Sequence, residues 1–310
     1  MLKISSVTKT FVDKVSNTPK IVLDSINIEV KDGEVYGLVG ANGAGKTTLM
    51  NIISRVLKED GGSIEIDSKK INTINDVAGK VGYMLDIPAM FDFMTAHEYF
   101  EYLASPQKKN KQDLKTMTDY LLGEVGLSDV AGKYIKKYSR GMKQRLGIAA
   151  ALISNPQIIL MDEPSSALDP QGRYEVIKII EKLRERGKTI ILSTHILNDV
   201  ERVCDRVGLL SRGKLVVEGT LHDVLKKFSE TAFIVLGDDD QLIKVEAALK
   251  KVKGVKEVKI ISESMEVVFE QGFQEKVFVA ITSASDKLSS VSLKVSTIED
   301  IFLKAQRGEV

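Results

Sequence analysis

Apolar positions along residues 1–225 fall into short strand-like runs separated by stretches with helical spacing. Ile26–Val30 alternates apolar and polar residues, the pattern of a half-buried strand. Val35–Val39 is a short apolar run ending in a glycine-rich turn, and Thr47–Leu57 after it reads as a helix. Gln157–Met161 and Thr189–Leu192 are apolar runs of the kind a central strand carries. Between them, Gly172–Arg186 places Val176, Ile177, Ile180 and Leu183 on one helical face. Strand, helix, strand in succession implies right-handed crossovers and a parallel sheet. Residues 88–151 contain little that reads as strand and predict a helical insertion, with helices over Ala96–Ala104, Gln112–Val125 and Arg140–Ser154.

The pattern changes after Thr220. Leu221–Phe228 reads as a short basic helix. Strands then follow at Ala232–Leu236, Val255–Ile261, Met265–Glu270 and Ser290–Val295, with helices at Asp240–Lys251 and Gln274–Ala284. That order is βαββαβ, a split-βαβ unit. A last helix is predicted over Thr297–Gln306. The expected organisation is an α/β domain over residues 1–225 and a small α+β domain over residues 226–310.

Composition narrows the classes. Lys and Arg number 44 and Asp and Glu 43, a formal net charge of +1. So even a balance argues against a nucleic-acid partner, and 43% hydrophobic residues argue against disorder. The single cysteine, Cys204, cannot form an internal disulfide and fits a reducing compartment. No apolar run approaches the roughly 20 residues of a membrane span, and no signal peptide opens the chain. The expectation is a cytoplasmic chain that reaches a membrane only by docking onto another protein.

Gly40-Ala41-Asn42-Gly43-Ala44-Gly45-Lys46-Thr47, with Thr48 following, fits the Walker A pattern G-x-x-x-x-G-K-[ST]. Glycines permit conformations in which successive N–H groups face one concavity and bind phosphate oxygens. The helix that follows adds its positive N-terminal end. Lys46 is placed to reach the β- and γ-phosphates, and the Thr47 hydroxyl to ligate Mg²⁺. Downstream, the apolar run Ile158–Met161 ends in Asp162 and Glu163, carboxylates at the strand edge where α/β sheets place ligands. Asp162 suits Mg²⁺, and Glu163 suits polarisation of an attacking water.

With these motifs in this order, residues 2–220 resemble the nucleotide-binding subunit of ABC transporters. The resemblance implies a P-loop NTPase cassette: a RecA-like core, an antiparallel β edge and a helical subdomain. Tyr138-Ser139-Arg140-Gly141-Met142-Lys143-Gln144-Arg145 looks like the family's signature segment, with Arg140 and Met142 in place of the glycine and glutamine of its commonest form. In the family the serine and glycine, here Ser139 and Gly141, cap the γ-phosphate held by the opposite protomer. Ser139 reads equally as a plain helix N-cap, and both roles are open to one serine. Ser166-Ala167-Leu168-Asp169 resembles the D-loop, which crosses the dimer interface, and is also an ordinary polar turn with an N-cap. His195 matches the switch histidine that contacts the γ-phosphate. Phe11 sits where the family places an aromatic that stacks on adenine, although the turn Val12–Pro19 is longer than usual. Asp86 stands where the family carries Gln or Glu in contact with Mg²⁺ and the attacking water; it keeps an oxygen ligand on a side chain one methylene shorter.

The resemblance further implies ATP and Mg²⁺ as ligands and a head-to-tail pair of cassettes, identical or related, with two ATP molecules between them. Glu163 would act as general base and His195 would orient the γ-phosphate. A separate integral membrane permease would contact Ile87–Tyr99, where Phe91, Phe93 and Met94 lie, with Phe100 just beyond. The subunit would then be peripheral on the inner face of the cell membrane. The tail resembles the small domain often attached to ABC-2-type exporters, and Ser296–Phe302 resembles its terminal motif, so export is favoured over import. A soluble ABC-type ATPase and a regulatory module that binds ATP are the competing readings.

Overall fold

The computed structural model describes residues 1–12, 17–105, 110–228, 231–270, 272–285, 287–294 and 297–307. Part of the Val12–Pro19 turn, Val295 and Ser296 lie outside the described residues. The chain divides into two compact units, Met1–Val224 with Lys304–Val310, and Leu225–Leu303.

The first unit is built on two sheets. Strands β1 (Leu2–Val12), β2 (Pro19–Val30), β4 (Gly61–Ile66) and β5 (Lys69–Lys70) form an antiparallel sheet in the order β2-β1-β4-β5. The other sheet has the order β10-β9-β3-β8-β7-β6. Its strands are β3 (Val35–Val39), β6 (Val81–Met84), β7 (Ile158–Asp162), β8 (Thr189–Thr194), β9 (Arg206–Ser211) and β10 (Lys214–Thr220). All neighbours in it are parallel except the β9–β10 pair. Every residue of β3, β7 and β8 is buried. Layers on both faces therefore explain why these segments read as apolar runs rather than alternations. Helix α1 (Lys46–Ile53) contributes Leu49, Met50, Ile52 and Ile53 to a core shared with Leu2, Ile4, Leu23 and Ile26 of the first sheet and Leu38, Leu160 and Ile191 of the second. The phosphate-loop helix is thus clamped between two sheets.

α1 stops four residues before the Leu57 that the sequence predicts. Ser54 closes it and Arg55 turns to a left-handed φ of 60°. The Arg55 guanidinium bonds the Glu59 carboxylate and the Ile71 carbonyl, which holds the reversal in place. After α2 (Ile74–Val77), the predicted helical insertion contains α3 (Ala96–Ala104), α4 (Lys111–Glu124) and α5 (Arg140–Ala151). Each starts at a polar cap, Thr95, Asn110 and Ser139, whose side-chain oxygen accepts a backbone N–H of the first turn. Helices α6 (Pro170–Glu185) and α7 (Leu197–Val203) complete the crossovers around β8. Helix α8 (Leu221–Phe228) follows β10.

The second unit contains β11 (Thr231–Leu236), α9 (Asp239–Leu249), β12 (Val255–Ile261), β13 (Ser264–Phe269), α10 (Gln274–Ala284) and β14 (Ser290–Lys294). Its sheet runs β12-β13-β11-β14, all antiparallel. This is the pairing of a split βαββαβ unit, as the element order predicts. Phe233, Val235, Met265, Val267 and Phe269 from the sheet pack with Leu242, Val245 and Leu249 of α9 and Val277 and Ile281 of α10. Helix α11 (Ile298–Arg307) ends the described chain. Among the described residues no helix is long and apolar enough to cross a membrane.

Candidate functional site

The loop from Gly40 to Gly45 joins β3 to α1 at the carboxyl edge of the parallel sheet. Its glycines have distinct jobs. A side chain on Gly40 would meet the Leu210 carbonyl oxygen at 2.5 Å. Gly45 has φ of 112°, and a Cβ there would stand 2.8 Å from the Val22 carbonyl oxygen. Gly43 also has positive φ, 80°, but faces open space. Gly45→Ala should therefore cost about 2 kcal/mol or more, from strain and collision together, and lower the unfolding midpoint by roughly 4–8 °C. Gly43→Ala carries only the strain and should cost less. Thermal melts of the two variants side by side check this; equal shifts would contradict it.

Lys46 is almost wholly buried, and its Nζ lies 2.7 Å from the Gly40 carbonyl oxygen and 3.4 Å from that of Ala41. It also stands 3.2 Å from Glu163 Oε1, an ion pair without hydrogen-bond alignment. The other carboxylate oxygen of Glu163 lies 2.8 Å from His195 Nδ1. Glu163 has a left-handed φ of 48°, uncommon for a residue with a side chain. The turn is over-determined by its hydrogen bonds. The Glu163 N–H donates to the Ser193 carbonyl at 3.0 Å, and the Ser166 N–H donates back to the Glu163 carbonyl at 3.1 Å. Ser193 Oγ donates to Asp162 Oδ1, which fixes the neighbouring carboxylate at the end of β7.

A cavity of about 410 Å³ lies over this edge. It is lined by Phe11, Lys20, Val22, Ala41, Asn42, Gly43, Gly45, Lys46, Thr47, Thr48, Asp86 and Glu163. Phe11 is half-exposed at the end of β1, where it pairs with Lys20 of β2, and Lys9 Nζ lies 5.6 Å from its ring centroid. Asp86, just after β6, has its carboxyl held above the usual range by desolvation and by the Asp162 and Glu163 charges, against the pull of Arg140 and His195. The structure thus gathers Phe11, the loop, Asp86 and Glu163 around one space, with His195 hydrogen-bonded to Glu163 and Asp162 next to it in the chain at the end of β7.

Ser139, Arg140, Gly141 and Met142 open α5, and Ser166, Ala167, Leu168 and Asp169 lead into α6; none of them lines the cavity. Ser139 Oγ accepts the Met142 N–H at 3.2 Å, and Asp169 Oδ1 accepts the Gly172 N–H at 2.9 Å, so both are N-caps. The two segments face each other within the chain: a Cβ on Gly141 would lie 3.9 Å from Leu168 Cδ2. Ser193 and Lys20 are not among the sequence-predicted site residues, and Gln144 is there only as a member of the signature segment, with no role of its own. Ser193 carried a signal, a hydroxyl at the end of a buried strand. Gln144 carried a fainter one, a lone amide on the buried face of α5, and Lys20 carried none.

Residues 23–166 match the ABC transporter family model. The chain is 37% identical over 289 residues to an ABC transporter ATP-binding protein of Synechocystis, covering 92% of this chain and 78% of that one. It belongs to the ABC transporter ATP-binding family. This cassette is also 30% identical over 314 residues to the bacitracin transport ATP-binding protein BcrA of Bacillus licheniformis, covering 99% of one chain and 98% of the other. It is 33% identical over 218 residues to the lantibiotic transport ATP-binding protein SrtF of Streptococcus pyogenes, covering 70% and 90%. Among solved structures, the dimeric ABC transporter cassette MJ0796 superposes with a TM-score of 0.66 at 29% identity, covering 71% of this chain and 99% of that one. The same cassette bound to ADP and Pi in a post-hydrolysis state gives 0.65. The protein is therefore the nucleotide-binding ATPase subunit of an ABC transporter, with relatives named for bacitracin and lantibiotic transport and for linearmycin resistance.

Proposed function

We propose that this subunit drives export through a separate membrane permease by closing head to tail on a second cassette around two ATP molecules. The observation that carries the reading is the convergence of Lys46, Thr47 and Glu163 on one cavity, with His195 hydrogen-bonded to Glu163, while the Ser139 segment lines no part of that cavity. A site with base, lysine and phosphate loop but no signature serine is incomplete until another chain supplies one. The γ-phosphate then has contacts only in the closed pair, so ATP has the differential affinity for the closed state that a switch needs. Glu163 takes a proton from the attacking water, His195 orients the γ-phosphate, and Lys46 and the loop N–H groups stabilise its charge. Phe11 offers its ring face to the adenine.

Thr47, Asp162 and Asp86 offer oxygen donors only, which suits Mg²⁺. Among the described residues no group of three or more His, Cys, Asp or Glu side chains is placed to hold a metal ion. Thr47, Asp162 and Asp86 would hold Mg²⁺, which would neutralise charge on the phosphates.

The permease surface is the segment after Asp86. Ile87, Phe91 and Phe93 are exposed there, and the Phe91 ring stacks edge-on against Tyr102 at 5.3 Å. Exposed apolar side chains gathered in one segment mark an interaction site. Phe100 is fully buried and belongs to the core. Export as the direction is supported by the relatives named for bacitracin and lantibiotic transport and linearmycin resistance. ATP turnover per mole of protein should rise with protein concentration and then level off. A specific activity that is constant down to nanomolar protein would exclude the paired mechanism.

A further inference from the structure

We propose that Gln144 is a positioning residue that ties the Asp86 loop and the Glu163 turn to the helix opened by Ser139, so that both partners act on the base through one side chain. The proposal rests on the reading of Glu163 as general base. Gln144 is 3% exposed. Its Nε2 lies 3.3 Å from the Asp86 carbonyl oxygen and 3.4 Å from the Glu163 carbonyl oxygen. A side-chain amide has two N–H donors, so one group serves both carbonyls.

A second contact shows that α5 and the loop are closely seated. Gly147 follows Gln144 by three positions and shares its helix face. A Cβ on Gly147 would stand 2.8 Å from Pro88 Cγ and 3.2 Å from Pro88 Cβ. The loop therefore rests on α5 through Pro88, while Gln144 holds the carbonyl two residues earlier. Ile87, between Asp86 and Pro88, is 79% exposed and opens the segment proposed to meet the permease.

Glu163 is the third point of this junction. Its N–H is fixed from β8 by Ser193, and its carbonyl receives the Ser166 N–H and the Gln144 amide. Its left-handed backbone depends on such anchors to persist. A shift of the loop or of α5 changes the pull on the Glu163 carbonyl and hence the aim of its carboxylate. The nucleotide is held by the phosphate loop and Lys46 between β3 and α1, whereas the Gln144 amide hydrogen-bonds to carbonyls of the Asp86 loop and the Glu163 turn, so its removal weighs first on the chemical step.

Gln144→Met keeps the length and removes both donors. Its kcat for ATP should fall by about 10- to 100-fold, the scale of a small misplacement of a reacting group. Affinity for a fluorescent ATP analogue should stay near wild type, while the unfolding midpoint falls by only a few degrees (~2–6 °C) for the lost buried donors. Gln144→Asn, whose amide is withdrawn by one methylene, should show the same split between kcat and affinity, and it carries the test if the Met variant fails to fold. A kcat within twofold of wild type overturns the proposal, as does a parallel loss of kcat, affinity and melting temperature. Glu163→Gln is measured alongside. Normal hydrolysis in that variant removes the base assignment on its own, whereas normal hydrolysis in Gln144→Met alone removes only the positioning role.

Discussion

Glu163→Gln should lower ATP turnover by about 10²–10⁴-fold, the range for loss of a general base, and leave ATP held in a stable dimer. The amide has nearly the same shape, so the left-handed turn anchored by Ser193 and Ser166 should survive. It cannot accept a proton from water at neutral pH. It also removes the negative charge that stands 3.2 Å from Lys46 Nζ and competes with phosphate for that cation. Both effects act in one direction: hydrolysis stops and ATP binds at least as tightly. Size-exclusion chromatography with and without ATP, beside a phosphate-release assay, reads the two halves separately. A variant that elutes as a monomer with ATP and releases phosphate at the wild-type rate would end the assignment of Glu163 as base.

The motifs were legible because their chemistry is local. Gly40 to Thr47 states a turn, a helix start and a cation within eight positions, and the structure closes Lys46 onto its own loop carbonyls. Asp162 and Glu163 were readable for the same reason, as polar residues ending a buried run. The split-βαβ order of the second unit was readable because its strands and helices are separated by clear changes of period, and the pairing β12-β13-β11-β14 follows from that order. What the sequence hid was non-local. Phe11 is placed at the nucleotide site by the family resemblance alone and not by its neighbours, because its approach to Thr47 depends on a bulged pairing of β1 with β2. Nothing near Gln144 says that its amide meets carbonyls 58 and 19 positions away. The early end of α1 is of this kind too, since the left-handed Arg55 is held by Glu59 and by the distant Ile71 carbonyl.

Lys46→Ala should weaken nucleotide binding by on the order of 10²-fold, the equivalent of one to two charge-assisted hydrogen bonds, with hydrolysis lost at ordinary ATP concentrations. Its effect without nucleotide is separate and follows from burial. Lys46 and Glu163 are both at the edge of full burial, so removing the ammonium takes away the cation 3.2 Å from the Glu163 carboxylate and leaves it beside the Asp86 carboxyl. An uncompensated charge in such a place destabilises the fold. The nucleotide-free Lys46→Ala protein should therefore melt below wild type, and adding Glu163→Gln should recover part of that loss. Residues in direct contact typically couple by about 0.5–3 kcal/mol, so the double-mutant cycle is large enough to measure by denaturant titration. Nucleotide affinity gives the independent reading: it should stay low in the double variant, because relieving Glu163 restores no cation to the phosphate loop. Additive stabilities would show that the two side chains do not interact. An unchanged affinity for ATP in Lys46→Ala would show that the loop binds phosphate without its lysine.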